Sequence, residues 1–263
     1  MIGRRATTGR AAERPPDTVT VMSTTRSPRT VGVVLAAGRG TRVGHDGNKA
    51  YLPLAGRRMV TWTLESLAAV PEIERVVVVV RQDDLPRARA VIGRELPELP
   101  VEYVLGGDTR HQSEHQALQH LAVDISSGAV EVVLIHDAAR PLAGAAMMRL
   151  AMSVAWEFGG AVPALPVSDL IEVGAGGSVR RPQPAEALVR VQTPQAFRAP
   201  ELLAAYQAAH DDGFEGTDTS SCVERYSEVD VHTFPGEERN LKVTYAHDLF
   251  LAEKLLAMGE YRL

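Results

Sequence analysis

Between residues 36 and 49 the chain reads Ala36-Ala-Gly-Arg-Gly-Thr-Arg-Val-Gly-His-Asp-Gly-Asn-Lys49. Glycines at 38, 40, 44 and 47 let backbone N–H groups approach an anion closely, and Arg39, Arg42 and Lys49 add positive charge. That combination suits a polyphosphate. It matches neither common phosphate motif. A P-loop needs G-x-x-x-x-G-K-[ST], which Gly47-Asn-Lys-Ala50 does not supply. A dinucleotide fingerprint needs G-x-G-x-x-G, and here the third glycine falls one residue late, at Gly44. A second centre follows the apolar run Val132-Val-Leu-Ile135, which leads into His136-Asp137-Ala-Ala-Arg140-Pro141. Ligands of open α/β sheets bind beyond the carboxyl ends of the strands. An Asp placed there, beside a phosphate loop, is suited to hold Mg²⁺. The competing expectation is an Asp that caps a turn and pairs with Arg140. His136 is expected to pack or hydrogen-bond rather than titrate.

His111-Gln-Ser-Glu-His115 matches the H-x-x-E-H inverted zinc-protease pattern, in which two histidines share a helix face beside a Glu base. It directly follows Gly106-Gly-Asp-Thr-Arg110, where a βα series would complete a nucleotide site, so a surface helix is the favoured expectation. Cys222 sits at apolar helical spacing and is expected to be inert core. As the single cysteine it excludes an intrachain disulfide framework and any multi-cysteine metal site.

These residues need a scaffold, and the pattern around them supplies one. Strands are predicted at 31–36, 76–80, 100–105, 132–135 and 161–167, several of them short runs of β-branched residues. Helices are predicted at 57–70, 83–93, 112–123, 144–158, 200–211, 217–226 and 246–258. The alternation implies a parallel sheet with helices on both faces. At 168–192 the rhythm breaks. Ile171-Glu-Val173 and Ser178-Val-Arg180 flank Gly174-Ala-Gly-Gly177, a hairpin signature, and an exposed hairpin in such a domain often serves as a dimer arm or lid.

The chain has 263 residues, 45% hydrophobic and 23% charged, ordinary values for a globular protein. Six arginines against Glu13 and Asp17 make residues 1–30 net +4, so the total of −5 leaves the remainder near −9. An acidic body argues against a nucleic-acid binder. Residues 1–30 are rich in Thr, Ser, Pro and Arg and have no apolar run for a signal or membrane span. They are expected to be a disordered tail, or to precede a working start at Met22. A transit peptide fits poorly with Glu13, Asp17 and three prolines, and a basic arm for an anionic partner has no further support. Residues 31–263 then form one domain.

Five motifs occur together and in order. They are Leu35-Ala-Ala-Gly-Arg-Gly-Thr-Arg42 with Lys49, Gly106-Gly-Asp-x-Arg110, His136-Asp-Ala-Ala-Arg-Pro141, Gln192-Thr-Pro-Gln195 and Asn240-Leu-Lys-Val-Thr244. Over about residues 31–260 the chain resembles the 2-C-methyl-D-erythritol 4-phosphate cytidylyltransferases. The resemblance implies a Rossmann-like nucleotidyltransferase domain with a mainly parallel central sheet. It also implies a protruding β-hairpin arm that joins a homodimer, Mg²⁺ or another divalent cation, CTP and a polyol phosphate as partners, and a cytoplasmic location. It implies that Arg42 and Lys49 bind the triphosphate and stabilise the transition state, with Lys242 approaching the α-phosphate from the far side. Ala36, Ala37, Gly38, Gly40, Gly107, Asp108 and Ser113 would contact CTP, mostly through backbone atoms. Asp137 would hold the metal and orient the acceptor, with Arg140 and Asp169 also on the acceptor side.

The arm departs from that pattern. Where the family usually has Thr after the Asp of Pro-Val-x-Asp, Leu170 follows Asp169, and Glu172 stands where a basic residue is common. An Arg eight residues before the Thr of Thr-Pro-Gln is replaced by Ala185. The missing groups bind the acceptor phosphate, so their loss weakens that contact unless Arg180, Arg181 or Arg190 replaces them. Two other readings therefore stay open: transfer to another alditol phosphate such as ribitol 5-phosphate, and a nucleotide-binding relative with little activity.

Overall fold

The computed structural model describes residues 28–38, 40, 47–167, 172–180 and 188–258. Arg39, Arg42, Asp169, Leu170, Arg181, Ala185 and the segment 1–27 lie outside the described residues.

The chain opens with β1 (Thr30–Leu35), a two-stranded turn of β2 (Pro53–Leu54) and β3 (Arg57–Arg58), then α1 (Met59–Ala68) and β4 (Ile73–Val80). It continues through α2 (Leu85–Glu95), β5 (Glu102–Leu105), α3 (Arg110–Ser126), β6 (Val132–Asp137), α4 (Ala145–Phe158) and β7 (Gly159–Pro166). A small antiparallel pair follows, β8 (Glu172–Val173) and β9 (Val179–Arg180). The last elements are β10 (Val189–Val191), β11 (Gln195–Arg198), α5 (Ala199–Asp211), α6 (Thr219–Tyr226), β12 (Asp230–Pro235) and α7 (Ala246–Ala257).

β1, β4 and β6 are the centre of an eight-stranded sheet because their β-branched runs are apolar on both faces. Alternate residues face opposite layers. Val34, Val78, Val80 and Leu134 pack with α1, α2 and α4, whereas Val33, Val77, Val79, Val133 and Ile135 pack with α3, α5 and α6. β1 runs parallel to both β4 and β6, and β4 parallel to β5, as βαβ crossovers require. All three carboxyl ends therefore open on one rim.

Three strands escape the sequence pattern. β11 runs antiparallel between β6 and β7, β10 pairs antiparallel with the end of β7, and β12 adds parallel along the other side of β7. The sheet is thus mixed, with its antiparallel part confined to one side. The hairpin predicted at 171–180 is present as β8 and β9, with Gly174–Gly177 as its turn. Helix α3 is longer at both ends than predicted, because Thr109 caps it by accepting a hydrogen bond from Gln112 N. Among the described residues no helix is long and apolar enough to cross a membrane.

Candidate active site

A cleft of about 400 Å³ lies on the rim where β1, β4, β5 and β6 end. One wall is Ala36, Ala37, Gly38 and Gly40 after β1, and the opposite wall is Gly107, Asp108 and Ser113 at the start of α3. Asp137 and Ala138 after β6 close the floor, and Lys49, Lys242 and Thr244 come in over it. Ten residues expected to bind nucleotide or metal are thereby gathered from five separate chain segments.

Asn48 brings Lys49 into place. Its side-chain amide donates to Ala36 O and to Asp84 Oδ2 at 3.0 Å, while its Oδ1 accepts from Ala50 N at 3.0 Å. The foot of the glycine loop is thus tied to the end of β1 and to the start of α2. Lys49 Nζ donates to Val243 O at 2.8 Å, and the neighbouring Lys242 Nζ lies 2.6 Å from Asp137 Oδ2. Two lysines nearly two hundred positions apart therefore line one cleft, Lys242 on the Asp137 carboxylate and Lys49 on the carbonyl of the residue after Lys242.

Burial would raise the Asp137 carboxyl, but Arg110 and Lys242 overcome that and hold it well below the usual carboxylate range. Arg110 Nε stands 3.5 Å from Oδ1, so both carboxylate oxygens face a cation. The backbone of Asp137 is fixed too. Its N–H donates to Thr193 Oγ1 at 3.1 Å, leaving that hydroxyl proton for His136 Nδ1 at 2.9 Å. His136 Nε2–H then donates to Arg140 O at 3.0 Å. This chain requires neutral imidazole, and burial pushes its pKa down to about 4. His136 is a packed, hydrogen-bonded residue, as expected.

Arg140 does not pair with Asp137 as a turn cap would. Its Nη1 donates to Asn240 O at 2.7 Å, while Asn240 Nδ2 donates to Thr193 O at 2.9 Å. Arg140 is buried and does not line the cleft; it ties the Asn240–Thr244 segment, and with it Lys242, to the β6 turn.

The surface-helix expectation for His111–His115 fails at its centre. Glu114 is 1% exposed, and its two oxygens accept from Arg110 Nη1 at 2.6 Å, from Tyr206 Oη at 2.7 Å and from Thr219 Oγ1. His111 is buried, stacks on Tyr206 at 4.6 Å and accepts from Gly216 N. His115 stacks instead on His210. The apolar face of α3 packs on α5 and α6, which draws residues 111 and 114 inward. Burial pushes the Glu114 carboxyl up against the opposing pull of Arg110 and the two hydroxyls.

Sequence reasoning gave no role to Arg110, Asn48 or Arg81, all of which line the cleft. Arg110 stood in a quoted motif, and its position as the first residue of a helix after a strand is the signal that pointed to it. Nothing in the sequence marks Arg81 beyond its place at the end of β4.

A glycine loop after β1, a carboxylate after β6 and cations between them, on a Rossmann-like sheet, define a nucleotide-handling transferase. Residues 30–258 match the family described as 2-C-methyl-D-erythritol 4-phosphate cytidylyltransferase. The enzyme of that name from Cereibacter sphaeroides is 40% identical over 230 residues, covering 88% of this chain and 98% of its own. The Solibacter usitatus enzyme is 38% identical, covering 86% and 95%. Among solved structures, 2-C-methyl-D-erythritol 4-phosphate cytidylyltransferase from Thermus thermophilus superposes with a TM-score of 0.66 at 30% identity, covering 86% of this chain and 98% of that one. The 4-diphosphocytidyl-2C-methyl-D-erythritol synthase of Anaerococcus prevotii gives 0.75 at 25% identity, covering 88% and 96%. The chain belongs to the 2-C-methyl-D-erythritol 4-phosphate cytidylyltransferase family.

Proposed function

We propose that this chain transfers a cytidylyl group from CTP to 2-C-methyl-D-erythritol 4-phosphate, giving CDP-methylerythritol and pyrophosphate for isoprenoid synthesis. The observation that carries the reading is the convergence of Lys49 and Lys242 beside Asp137 in a glycine-walled cleft. A phosphate monoester oxygen of the acceptor attacks the α-phosphorus of CTP. A new P–O bond forms, the α–β P–O bond breaks, and pyrophosphate leaves. The nucleophile is already anionic, so no general base is needed. The protein's work is to position the reactants and neutralise charge spreading over the phosphoryl oxygens. Lys49 and Lys242 supply that charge, with Arg42 assigned the same task by its place in the loop. The end of β1 and the Gly107–Ser113 turn cradle base and ribose.

Asp137 fits a divalent cation. It is a hard oxygen donor kept ionised at the cleft, and Mg²⁺ is commonly held by one or two carboxylates together with substrate phosphates. When bound there, Mg²⁺ would neutralise phosphate charge; Asp137 would hold it and orient the acceptor, with Asp169 assigned to the acceptor by its place in the sequence motif. Arg140 acts from behind, through Asn240, on the segment bearing Lys242. The arm joins two copies of the chain: Val173 and Val179 on the hairpin and Leu188, Val189 and Val191 beside it are exposed apolar residues that a second copy would cover. Reactants this highly charged do not cross membranes unaided, so the proposed place of work is the cytoplasm.

The test is pyrophosphate release from CTP and Mg²⁺ with a panel of acceptors. Methylerythritol phosphate should support turnover and ribitol 5-phosphate should not. Turnover only with ribitol 5-phosphate would reassign the acceptor, and no turnover with any would refute transferase activity. Sedimentation should show a dimer that Val173→Asp with Val179→Asp weakens.

A further inference from the structure

Asp137 faces two cations that are built differently. Lys242 Nζ is 2.6 Å from Oδ2, its side chain is 41% exposed, and it rides on an irregular segment. Arg110 Nε is 3.5 Å from Oδ1 and is rooted at the first residue of α3. The far side of its guanidinium is occupied: Nη1 lies 2.6 Å from Glu114 Oε1 and donates to Thr219 Oγ1 at 3.3 Å. Glu114 is itself fixed by Tyr206 Oη and Thr219 Oγ1. A carboxylate buried this deeply is costly unless paired, and the transfer chemistry makes no direct use of it.

For Lys242 to serve a phosphate it must leave Asp137, or share itself. If Lys242 were the sole side-chain partner, its departure would leave the desolvated carboxylate with no protein cation whenever no metal is bound, and that cost would be charged against nucleotide binding. We propose that Arg110, anchored by the buried Glu114, is the fixed counter-ion of Asp137 and thereby a positioning residue that releases Lys242 to the phosphates of bound CTP. The inference rests on the function proposed above. Lys242 is the mobile cation and Arg110 the stationary one. The tether on α3, α5 and α6 makes Arg110 stationary, because Glu114, Tyr206 and Thr219 come one from each helix.

The experiment compares wild type with Arg110→Ala, Arg110→Lys and Glu114→Gln. The readouts are kcat and KM for CTP with saturating methylerythritol phosphate, CTP affinity by titration calorimetry without acceptor, and thermal unfolding. Arg110→Ala is expected to weaken CTP binding about tenfold and to lower kcat/KM for CTP about a hundredfold. Arg110→Lys keeps a charge near Asp137 and should recover most of the affinity. Glu114→Gln should weaken CTP about threefold to tenfold, because the guanidinium loses its anchor while Asp137 is untouched. A purely structural role would lower the unfolding temperature and leave KM and CTP affinity of the folded protein unchanged; that result would overturn the proposal. So would a lysine that fails to rescue. If Arg110→Ala does not fold, Arg110→Lys and Glu114→Gln decide between the same outcomes, since wild-type KM and CTP affinity in both overturns the proposal. A wild type that binds CTP yet turns over no acceptor refutes the functional reading alone, and the calorimetry still decides the role of Arg110.

Discussion

Gly106 packs behind the wall of the cleft that follows β1, and Gly106→Ala should damage both the packing of the fold and that wall. A Cβ built at residue 106 would lie 2.7 Å from Ser113 Oγ, 2.8 Å from Ala37 Cβ and 3.0 Å from Val79 Cγ1. Ordinary carbon contacts begin near 3.5 Å, so Ala37 must retreat by roughly 0.7 Å. The Ser113 hydroxyl can rotate aside. Ala37 has no rotamer to change, and Val79 is fully buried in the central strand, so the backbone after β1 has to give. Overpacking of this kind costs about 1–3 kcal/mol. In a chain of this size each kcal/mol lowers the unfolding temperature by roughly 2–4 °C. The same shift displaces the wall expected to cradle the nucleotide, and CTP affinity should fall about tenfold, since small misplacements of a binding wall are expensive. Gly38→Ala is the control. Its Cβ meets nothing within 4 Å, so stability should be unchanged, while the added methyl enters the cleft and weakens CTP alone. Unfolding by temperature and CTP titration of both variants are sufficient. Wild-type stability in Gly106→Ala would refute the packing argument. Wild-type CTP affinity in both variants would refute the placement of the nucleotide against this wall.

Lys49→Ala should leave the fold intact, because Lys49 lines the cleft and its Nζ bonds to Val243 O at the rim, and should lower kcat at least about a hundredfold; near-normal kcat removes it from the transition state. Glu102, held by hydrogen bonds from Arg75 at a pKa of about 2, contributes stability that is present above the ordinary carboxylate range and lost as pH falls through about 2. Glu102→Gln should flatten that acid loss, by under about 1 kcal/mol because the pair is partly exposed; an unchanged acid limb in urea titrations at pH 2–5 would contradict this. Cys222 is buried, donates to Ala205 O and has its thiol pushed up to about 12 by burial, so a thiol reagent at pH 7.5 should label it only after unfolding.

The parts of the fold that a reader of the sequence can find are those whose period is unbroken. β1, β4 and β6 are continuous apolar runs, and α1 and α4 repeat Leu, Val, Met and Ala at helical spacing. The strands that escape notice lack that regularity. β11 has only four residues, so it has no room for a pattern. β12 alternates Val231, Thr233 and Pro235 with His232 and Phe234, and only Phe234 is buried, because the strand lies at the sheet margin. What decides their place is the pairing with β7, a contact between distant segments that no local period encodes.

The site divides along the same line. Glycines and cations advertise phosphate chemistry by type in the loop after β1, and the place of Asp137 after an apolar strand marks it, whereas Lys242 is singled out only through the resemblance carried by Asn240-Leu-Lys-Val-Thr244. Which charge meets which is not. His111-Gln-Ser-Glu-His115 carries the same five letters whether Glu114 faces water, a metal or Arg110, and only the packing of α3 on α5 and α6 selects the last. That choice has a consequence for an acidic protein that must attract CTP. A cleft with unpaired cations would bind any anion, whereas here Lys242 and Arg110 rest on Asp137, Lys49 rests on a backbone carbonyl, and Arg110 rests on Glu114. Lys242 and Arg110 are thus held in ion pairs that a phosphate ligand has to share or break.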